Sequence, residues 1–522
     1  NDSSDYDVDH SNDDTLNSSG HAQELARHFS VTSLAGLGIT AGNVWPAAGG
    51  SILVALYNGG PPGVLYEFAL VSCFYFLIAA GLAELASAVP SSSGVYQWAS
   101  ITPGPRWGRM VGFYAGYWNY LAWTFGAASM SFICSNTLVQ MYALQHPSYT
   151  SQPWHVFVAY ILTTWIATAV VCLFNSFMPY LTKIGIFFLL GGYFITVVVC
   201  AVMPTLNGRQ GHASSSFVWR DWEAEGLGYP NGFVFVAGML NGAYAMGTPD
   251  TVTHLAEEIP NPRRNIPLAI LLQYAIGFFT GFTYLIALMY SISDYGALFD
   301  SAYPLAQIYR QVTGSATGAI GLLALALICI TVSVVGATIT AGRTLWTLGR
   351  DAATPFPHII GRVDPRLGMP RNATLLTACL STLIGIIYLG SATAFNAFVG
   401  SFICMTTSSY LAALLPHLLT GRRHIPVPGP FHMPGAAGIA VYTLACSYIM
   451  IWFVIYCFPY TLPTSAGTMN YTAVIWSGFT LMITVWWFIG AARYKGPPPI
   501  TNWDPRPGEM EKGRRASATQ NA

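Results

Sequence analysis

Only 8% of the 522 residues are charged, and one carboxylate stands where charge is hardest to keep. Asp250 ends Asn241-Gly242-Ala243-Tyr244-Ala245-Met246-Gly247-Thr248-Pro249-Asp250, a helix-breaking segment inside an otherwise apolar run. An ionisable group within hydrocarbon is costly and marks a functional position. It can attract a cation, or hold an inner gate through arginines or backbone amides. Aromatic rings flank it and a second broken segment, Gly42-Asn43-Val44-Trp45-Pro46-Ala47-Ala48-Gly49-Gly50. Aromatic faces attract cations by about 0.5–2 kcal/mol each. They need no N–H on the ligand, so they suit a quaternary ammonium. Aromatics make up 14% of the chain, and most belong at lipid-facing or interfacial positions. Those beside the breaks, Trp45 and Tyr244, are therefore the first candidates, with Tyr117, Tyr120 and Trp123 of the third apolar run behind them. Gly42, Asn43, Asn241, Gly242, Gly247 and Asp250 complete the candidate binding set.

A second set has the chemistry of a gate. Ala256-Glu257-Glu258-Ile259-Pro260-Asn261-Pro262-Arg263-Arg264-Asn265-Ile266-Pro267 is the densest charge cluster between the two tails. Glu257, Glu258, Arg263 and Arg264 are expected to form salt bridges there, with Glu84 contacting neighbouring helix ends. Lys183 lies early in the fifth apolar run. A buried lysine can exchange a proton; a lysine near a helix end also reaches the membrane interface along its own stem.

These groups must be positioned by membrane helices. The chain is 53% hydrophobic with mean hydropathy +0.47, against about a quarter charged residues in a soluble chain. Runs near the ~20 residues that cross a bilayer recur along it. Hydropathy predicts an all-α polytopic membrane protein with twelve spans, near 31–56, 64–88, 110–138, 154–174, 181–203, 231–252, 267–290, 316–345, 373–390, 394–419, 436–458 and 472–492. Of the 22 Lys and Arg, all but Arg209, Arg220, Arg310 and Lys183 fall in the tails or in one set of loops and loop edges. That asymmetry predicts that both termini are cytosolic. The acidic stretch 1–28 and the Pro-rich, charged stretch 494–522 read as disordered tails around a transporter domain over 29–493. The sequon Asn470-Tyr471-Thr472 falls in the last outer loop, where it is a glycosylation candidate. All nine cysteines lie in apolar runs without metal-ligand spacing, so neither a disulfide framework nor a metal is expected.

Spans one and six are the broken ones. Proline removes an amide donor, and glycine tolerates non-helical dihedrals. Close helix packing explains Gly49-Gly50; it does not explain Pro46 and Pro249. Paired interruptions in corresponding spans point to a substrate site.

The motifs resemble those of the amino acid–polyamine–organocation superfamily. Ala256 through Pro267 is similar to its AEE…NPxRxIP signature. Ala83-Glu84-Leu85-Ala86-Ser87-Ala88-Val89-Pro90 with Gly94, Tyr96 and Trp98 resembles the segment after its second span, and Arg343 through Arg350-Asp351 and Pro355 the close of its eighth. Asn58-Gly59-Gly60-Pro61-Pro62-Gly63, Gln140-Met141-Tyr142 and Thr248-Pro249-Asp250 look most like the fungal choline and GABA permeases, with the choline branch nearest. The resemblance covers residues 36 to 355 and implies an inverted five-plus-five (LeuT-like) repeat, about 31–203 and 231–419, plus two peripheral helices near 436–492. Amino acid carriers of this superfamily often have a Gly-Ser-Gly-like first break whose amides bind a carboxylate. Gly42-Asn43-Val44-Trp45-Pro46 is bulkier and lacks one amide, which suits a substrate without a carboxylate.

The implied function is secondary transport of choline into the cell across the plasma membrane by alternating access, with a proton as candidate co-substrate. GABA, another amino acid or a polyamine is the alternative cargo, and a nutrient sensor that binds without transporting shares the same residues. All eleven histidines fall in tails, loops or span ends on this reading, and no phosphate-cradling loop or zinc signature occurs. No enzyme chemistry, cofactor, metal or nucleic-acid partner is therefore expected; lipid is the surrounding partner.

Overall fold

A computed structural model describes residues 31–206, 211–224, 226–390, 394–425 and 427–498. The tail expected over 1–28, and that expected from 494 apart from its first five residues, lie outside the described residues. The main helices are α1 (Val31–Gly42), α2 (Val44–Gly50), α3 (Gly60–Ala88), α4 (Gly108–Gln145), α5 (Pro153–Leu173), α6 (Met178–Val202), α7 (Asn231–Gly238), α8 (Leu240–Met246), α9 (Pro262–Tyr290), α10 (Ala316–Arg350), α11 (Arg371–Gly390), α12 (Ala394–Leu419), α13 (Gly435–Ile455) and α14 (Thr472–Gly490). Among the described residues there is no strand, only the isolated bridges Gly59–Glu223 and Asp364–Met369.

Among the described residues, eight helical segments are long and apolar enough to cross a membrane: those built on α3, α5, α6, α9, α10, α12, α13 and α14. Arg371–Ile387 is a shorter apolar helix. The 38-residue α4 and the broken segments α1–α2 and α7–α8 are outside that set. Large apolar side chains cover the outside of the bundle, Phe187 and Phe194 on α6 and Phe488 and Ile489 on α14 among them. Such a surface requires an apolar surrounding rather than water.

α4 runs through the middle, between α10 and α12. α3 packs on α9, α1 lies against α9, α6 and α10, and α8 lies against α3 and α12. Both interruptions expected from the sequence are present. Between α1 and α2 a single residue, Asn43, turns to the left-handed region (φ 40°, ψ 45°). Asn adopts that conformation more readily than most residues do. Pro46 is the third residue of α2, in the first turn, where a missing N–H breaks no intrahelical hydrogen bond. The second interruption starts after Met246, and the chain resumes as a 3₁₀ turn over Thr251–Glu258. Side chains of α9 occupy backbone carbonyls freed there: Tyr274 donates to Met246, and Gln273 Nε2 donates to Thr248 at 3.1 Å. Unpaired backbone in this setting must find a protein partner, and α9 supplies it.

The expected sequon is closed by the fold. Asn470 is buried, and its Nδ2 donates to the carbonyls of Tyr456 (2.7 Å) and Phe458 (3.0 Å), so the amide that a glycan would need is engaged.

Candidate functional site

The residue at the end of the second break is the hub of the molecule's most connected polar cluster. Asp250 is fully buried. Its Oδ2 accepts from Asn119 Nδ2 at 2.7 Å and Trp123 Nε1 at 3.1 Å, both from α4. Tyr410 of α12 donates its hydroxyl to Oδ1 at 2.5 Å. His254, one turn on in the 3₁₀ segment, places Nε2 3.2 Å from Oδ2. Charge-assisted bonds of this kind are short and strong, and they fix the carboxylate in one orientation.

A chain of aromatic rings leads from the carboxylate: Trp123 meets it through its indole N–H, and Phe402 and Tyr244 follow ring to ring. Trp123 and Phe402 meet edge to face with centroids 6.1 Å apart, and Phe402 and Tyr244 do so at 5.8 Å. Phe402 fits because two glycines face it. A β-carbon at Gly126 would come within 3.0 Å of its ring, and one at Gly247 within 2.9 Å. Tyr244 is held by Ser129 of α4, hydroxyl to hydroxyl at 2.8 Å. One carboxylate with three aromatic rings is the composition of a site for an organic cation.

Several expectations are corrected. Trp45 is buried, but its indole N–H donates to the Leu189 carbonyl of α6 at 3.1 Å and its ring meets Tyr284 of α9 at 5.1 Å. It is therefore a wedge between α6 and α9, not the partner of Tyr244. Tyr117 donates to the Ala353 carbonyl at 2.9 Å, and Tyr120 lies 3.4 Å from Thr377 of α11. The three are spaced at i, i+3 and i+6 along one side of α4, but only Trp123 bonds Asp250, while Tyr117 and Tyr120 turn to other partners. Lys183 is exposed, with its ammonium 5.6 Å from the centre of the Tyr180 ring. It follows its stem outward rather than entering the buried cluster. His254 is the opposite case: placed by sequence at a span end, it is buried against Asp250.

The remaining candidates line the breaks. Asn43 is buried, and neither side-chain atom has a hydrogen-bond partner among the described residues. A β-carbon at Gly42 would come within 2.7 Å of Gln273 Nε2. Asn241 Oδ1 accepts from Ser51 Oγ at 2.6 Å, tying α8 to the end of α2. Gly242 lets α8 approach α3, since a β-carbon there would meet Phe68 Cα at 3.2 Å.

The charge cluster pairs differently from the expectation. Glu258 meets Arg343 at 2.7 Å and Glu257 meets Arg350 at 3.2 Å, with all four side chains nearly buried. Both arginines belong to α10. Arg263 instead donates to the carbonyls of Ser87 (3.2 Å) and Pro428 (3.4 Å), and Arg264 is exposed. Glu84 pairs with Arg422 and lies 2.5 Å from His432. The prolines at 260 and 262 leave a stiff bend after Glu258, so the nearest arginines in sequence point away from it. These ion pairs close the basic face of the bundle. On the opposite face a cavity of about 350 Å³ opens, lined by Leu53, Ala237, Leu240, Tyr229, Tyr456 and Asn470 among others.

Comparison with known proteins gives the family. The sequence model described as amino acid permease matches residues 28–488. The choline transporter of Saccharomyces cerevisiae is 31% identical over 478 residues, 90% of this chain and 82% of its own length. The 7-keto 8-aminopelargonic acid transporter of the same yeast is 24% identical over 88% of this chain and 91% of its own. The amino-acid permease BAT1 of Arabidopsis thaliana is 26% identical over 92% and 95%. With the family model spanning most of the residues, and relatives matched along nearly their whole length, the chain belongs to the amino acid permease family of the amino acid–polyamine–organocation superfamily, and is a multi-pass membrane transporter rather than an enzyme.

Proposed function

We propose that this permease imports choline across the plasma membrane by alternating access, with the quaternary ammonium held between Asp250 and the faces of Trp123, Tyr244 and Phe402. The observation that carries the reading is the buried carboxylate of Asp250 beside three aromatic rings at the second helix break. The name of the yeast relative supports the same cargo. Choline has no N–H to donate, so ring faces and one carboxylate are what its ammonium end can use. Its hydroxyl finds a free amide in Asn43 across the site.

Twelve spans in an inverted five-plus-five repeat accompany this reading. The four spans beyond the eight apolar ones are α1–α2, α4, α7–α8 and α11: those that are broken, polar or short. The packing supports the repeat, because several helix contacts have a counterpart five spans on. α1 on α9 is matched by α8 on α3, α4 on α12 by α10 on α6, and α4 on α5 by α10 on α11. The basic face is cytosolic by the distribution of Arg. Glu84, Glu257 and Glu258 with their arginines then form the inner gate, and the cavity beside α7 faces outward. An inside-negative potential favours entry of one positive charge by about 2.3 kcal/mol per 100 mV.

The second reading is an amino acid or polyamine cargo, favoured by relatives such as BAT1 and the putative amino acid/polyamine transporter of Macrophomina phaseolina. Uptake of radiolabelled choline in a choline-transport-deficient cell tests the first. Saturable uptake that excess GABA does not inhibit is expected; strong GABA competition without choline accumulation sinks it. Accumulation in proteoliposomes separates a carrier from a sensor.

A further inference from the structure

The surroundings of His254 decide how many protons the buried pair holds. Its Nε2 faces Asp250 Oδ2 at 3.2 Å. Its Nδ1 faces the carbonyl of Ser92 at 3.2 Å and the Thr344 hydroxyl at 3.3 Å. Thr344 spends its only hydroxyl proton on the Thr340 carbonyl at 2.8 Å, so at the histidine it offers an oxygen lone pair. Both imidazole nitrogens therefore face acceptors. A neutral imidazole carries one N–H and leaves one of these contacts as lone pair against lone pair. The arrangement is satisfied when the pair holds one more proton, either as imidazolium with carboxylate or as neutral imidazole with a protonated Asp250.

No other charge competes for that proton. From α4 the pair is faced by neutral Asn119 and Trp123, and from α12 by Tyr410 and Ser409. From α9 come Gln273 and Tyr274, both engaged with backbone carbonyls. From α10 comes Thr344, with the adjacent Arg343 tied to Glu258. On its own segment Glu257 is tied to Arg350. Asp250 and His254 thus form an isolated buried pair, net neutral with the proton and net negative without it.

We propose that this site holds one positive charge at a time, and that an organic cation entering the aromatic cage displaces the proton shared by His254 and Asp250. The Nε2–H bond breaks, its electron pair stays on the ring, and the proton passes to water as the cation takes its place beside the carboxylate. A buried cation beside an already neutralised pair has no counter-charge to offset its lost hydration. A zwitterion brings no net charge and leaves the proton where it is. This deepens the choline reading and rests on it: at this carboxylate the cargo and the proton are in exchange, and the site carries one or the other.

Calorimetry on the purified full-length protein in buffers of different ionisation enthalpy tests this, using choline, spermidine and GABA as ligands. For choline, close to one proton released per molecule bound is expected, and on the acid side its Kd weakens by about tenfold per pH unit. GABA, if bound, releases none. His254→Gln flattens the pH slope whatever it does to affinity, and the wild-type proton count stands by itself should that variant fail to fold. Choline binding with no proton release, or the same slope in His254→Gln, overturns the exchange. Binding of spermidine with proton release but no choline heat sinks the choline reading and supports the exchange. Binding of GABA alone with a proton displaced, or no heat from any of the three, overturns both.

Discussion

At the first helix break the buried side chain of Asn43, held at φ 40°, finds no partner for either polar atom among the described residues. At the second, Asp250 is equally buried and is met by Asn119, Trp123, Tyr410 and His254. An unsatisfied buried polar group costs about 1–3 kcal/mol, so the first break carries an open hydrogen-bonding capacity that a ligand can fill. The second is arranged before any ligand arrives, and a cation has to enter an existing network. The difference also separates residues that the sequence had merged, since Trp45 beside the first break packs between α6 and α9, whereas Trp123, Phe402 and Tyr244 meet one another near the second.

The comparison breaks most severely at the carboxylate. Asp250→Asn puts an amide donor among groups that all donate, and removes the charge; kcat/KM for choline uptake should fall by about a hundredfold, given some 2–5 kcal/mol for a truncated buried charge. A fall of less than threefold in a normally delivered protein would place the cation elsewhere. Next is the segment leading from that break. Glu258→Arg faces Arg343 with a like charge in a nearly buried position and should slow uptake by about tenfold or more while surface delivery holds. Pairing it with Arg343→Glu should recover much of the rate, and uptake unchanged by the single reversal would remove Glu258 from the gate.

The cage comes third. Trp123→Leu removes a ring and one donor to Asp250, so KM for choline should rise by about tenfold, within the range of one cation–π contact. A KM unchanged for choline would show that Trp123 serves Asp250 alone. The smallest effect belongs to the first break. Asn43→Gly keeps the left-handed turn and removes the unpartnered amide. Thermal unfolding should shift upward by about 1 kcal/mol of stability, while choline affinity drops severalfold and tetramethylammonium, which lacks the hydroxyl, binds as before. Equal losses for both ligands would mean that the hydroxyl does not reach Asn43.

Much was legible in the sequence because it follows from local chemistry. Composition dictated membrane helices, Gly42–Pro46 and Gly247–Pro249 dictated two breaks, and a carboxylate amid apolar residues marked Asp250. Glu257 and Glu258 were legible as members of an ion-pair cluster; their partners were not. Tyr117, Tyr120 and Trp123 lie along one side of α4 by their spacing, so which of them meets Asp250 depends on the neighbouring helices that supply the partners. Phe402 carried no signal at all, as one phenylalanine among 29, until Gly126 and Gly247 were seen to make room for it. His254 looked like a span-end residue because a 3₁₀ continuation of a broken helix has no hydropathy signature.

The amino-acid sequence by itself determined that this chain is a family of apolar helices with two interrupted ones, and that its rarest groups sit at the interruptions. Breaks and burial costs are properties of a few consecutive residues, so they can be read without a fold. Which ring faces which charge was decided only by the tertiary structure. Asn119 and Trp123 come from α4 and Tyr410 from α12, and only packing brings them to the carboxylate of Asp250.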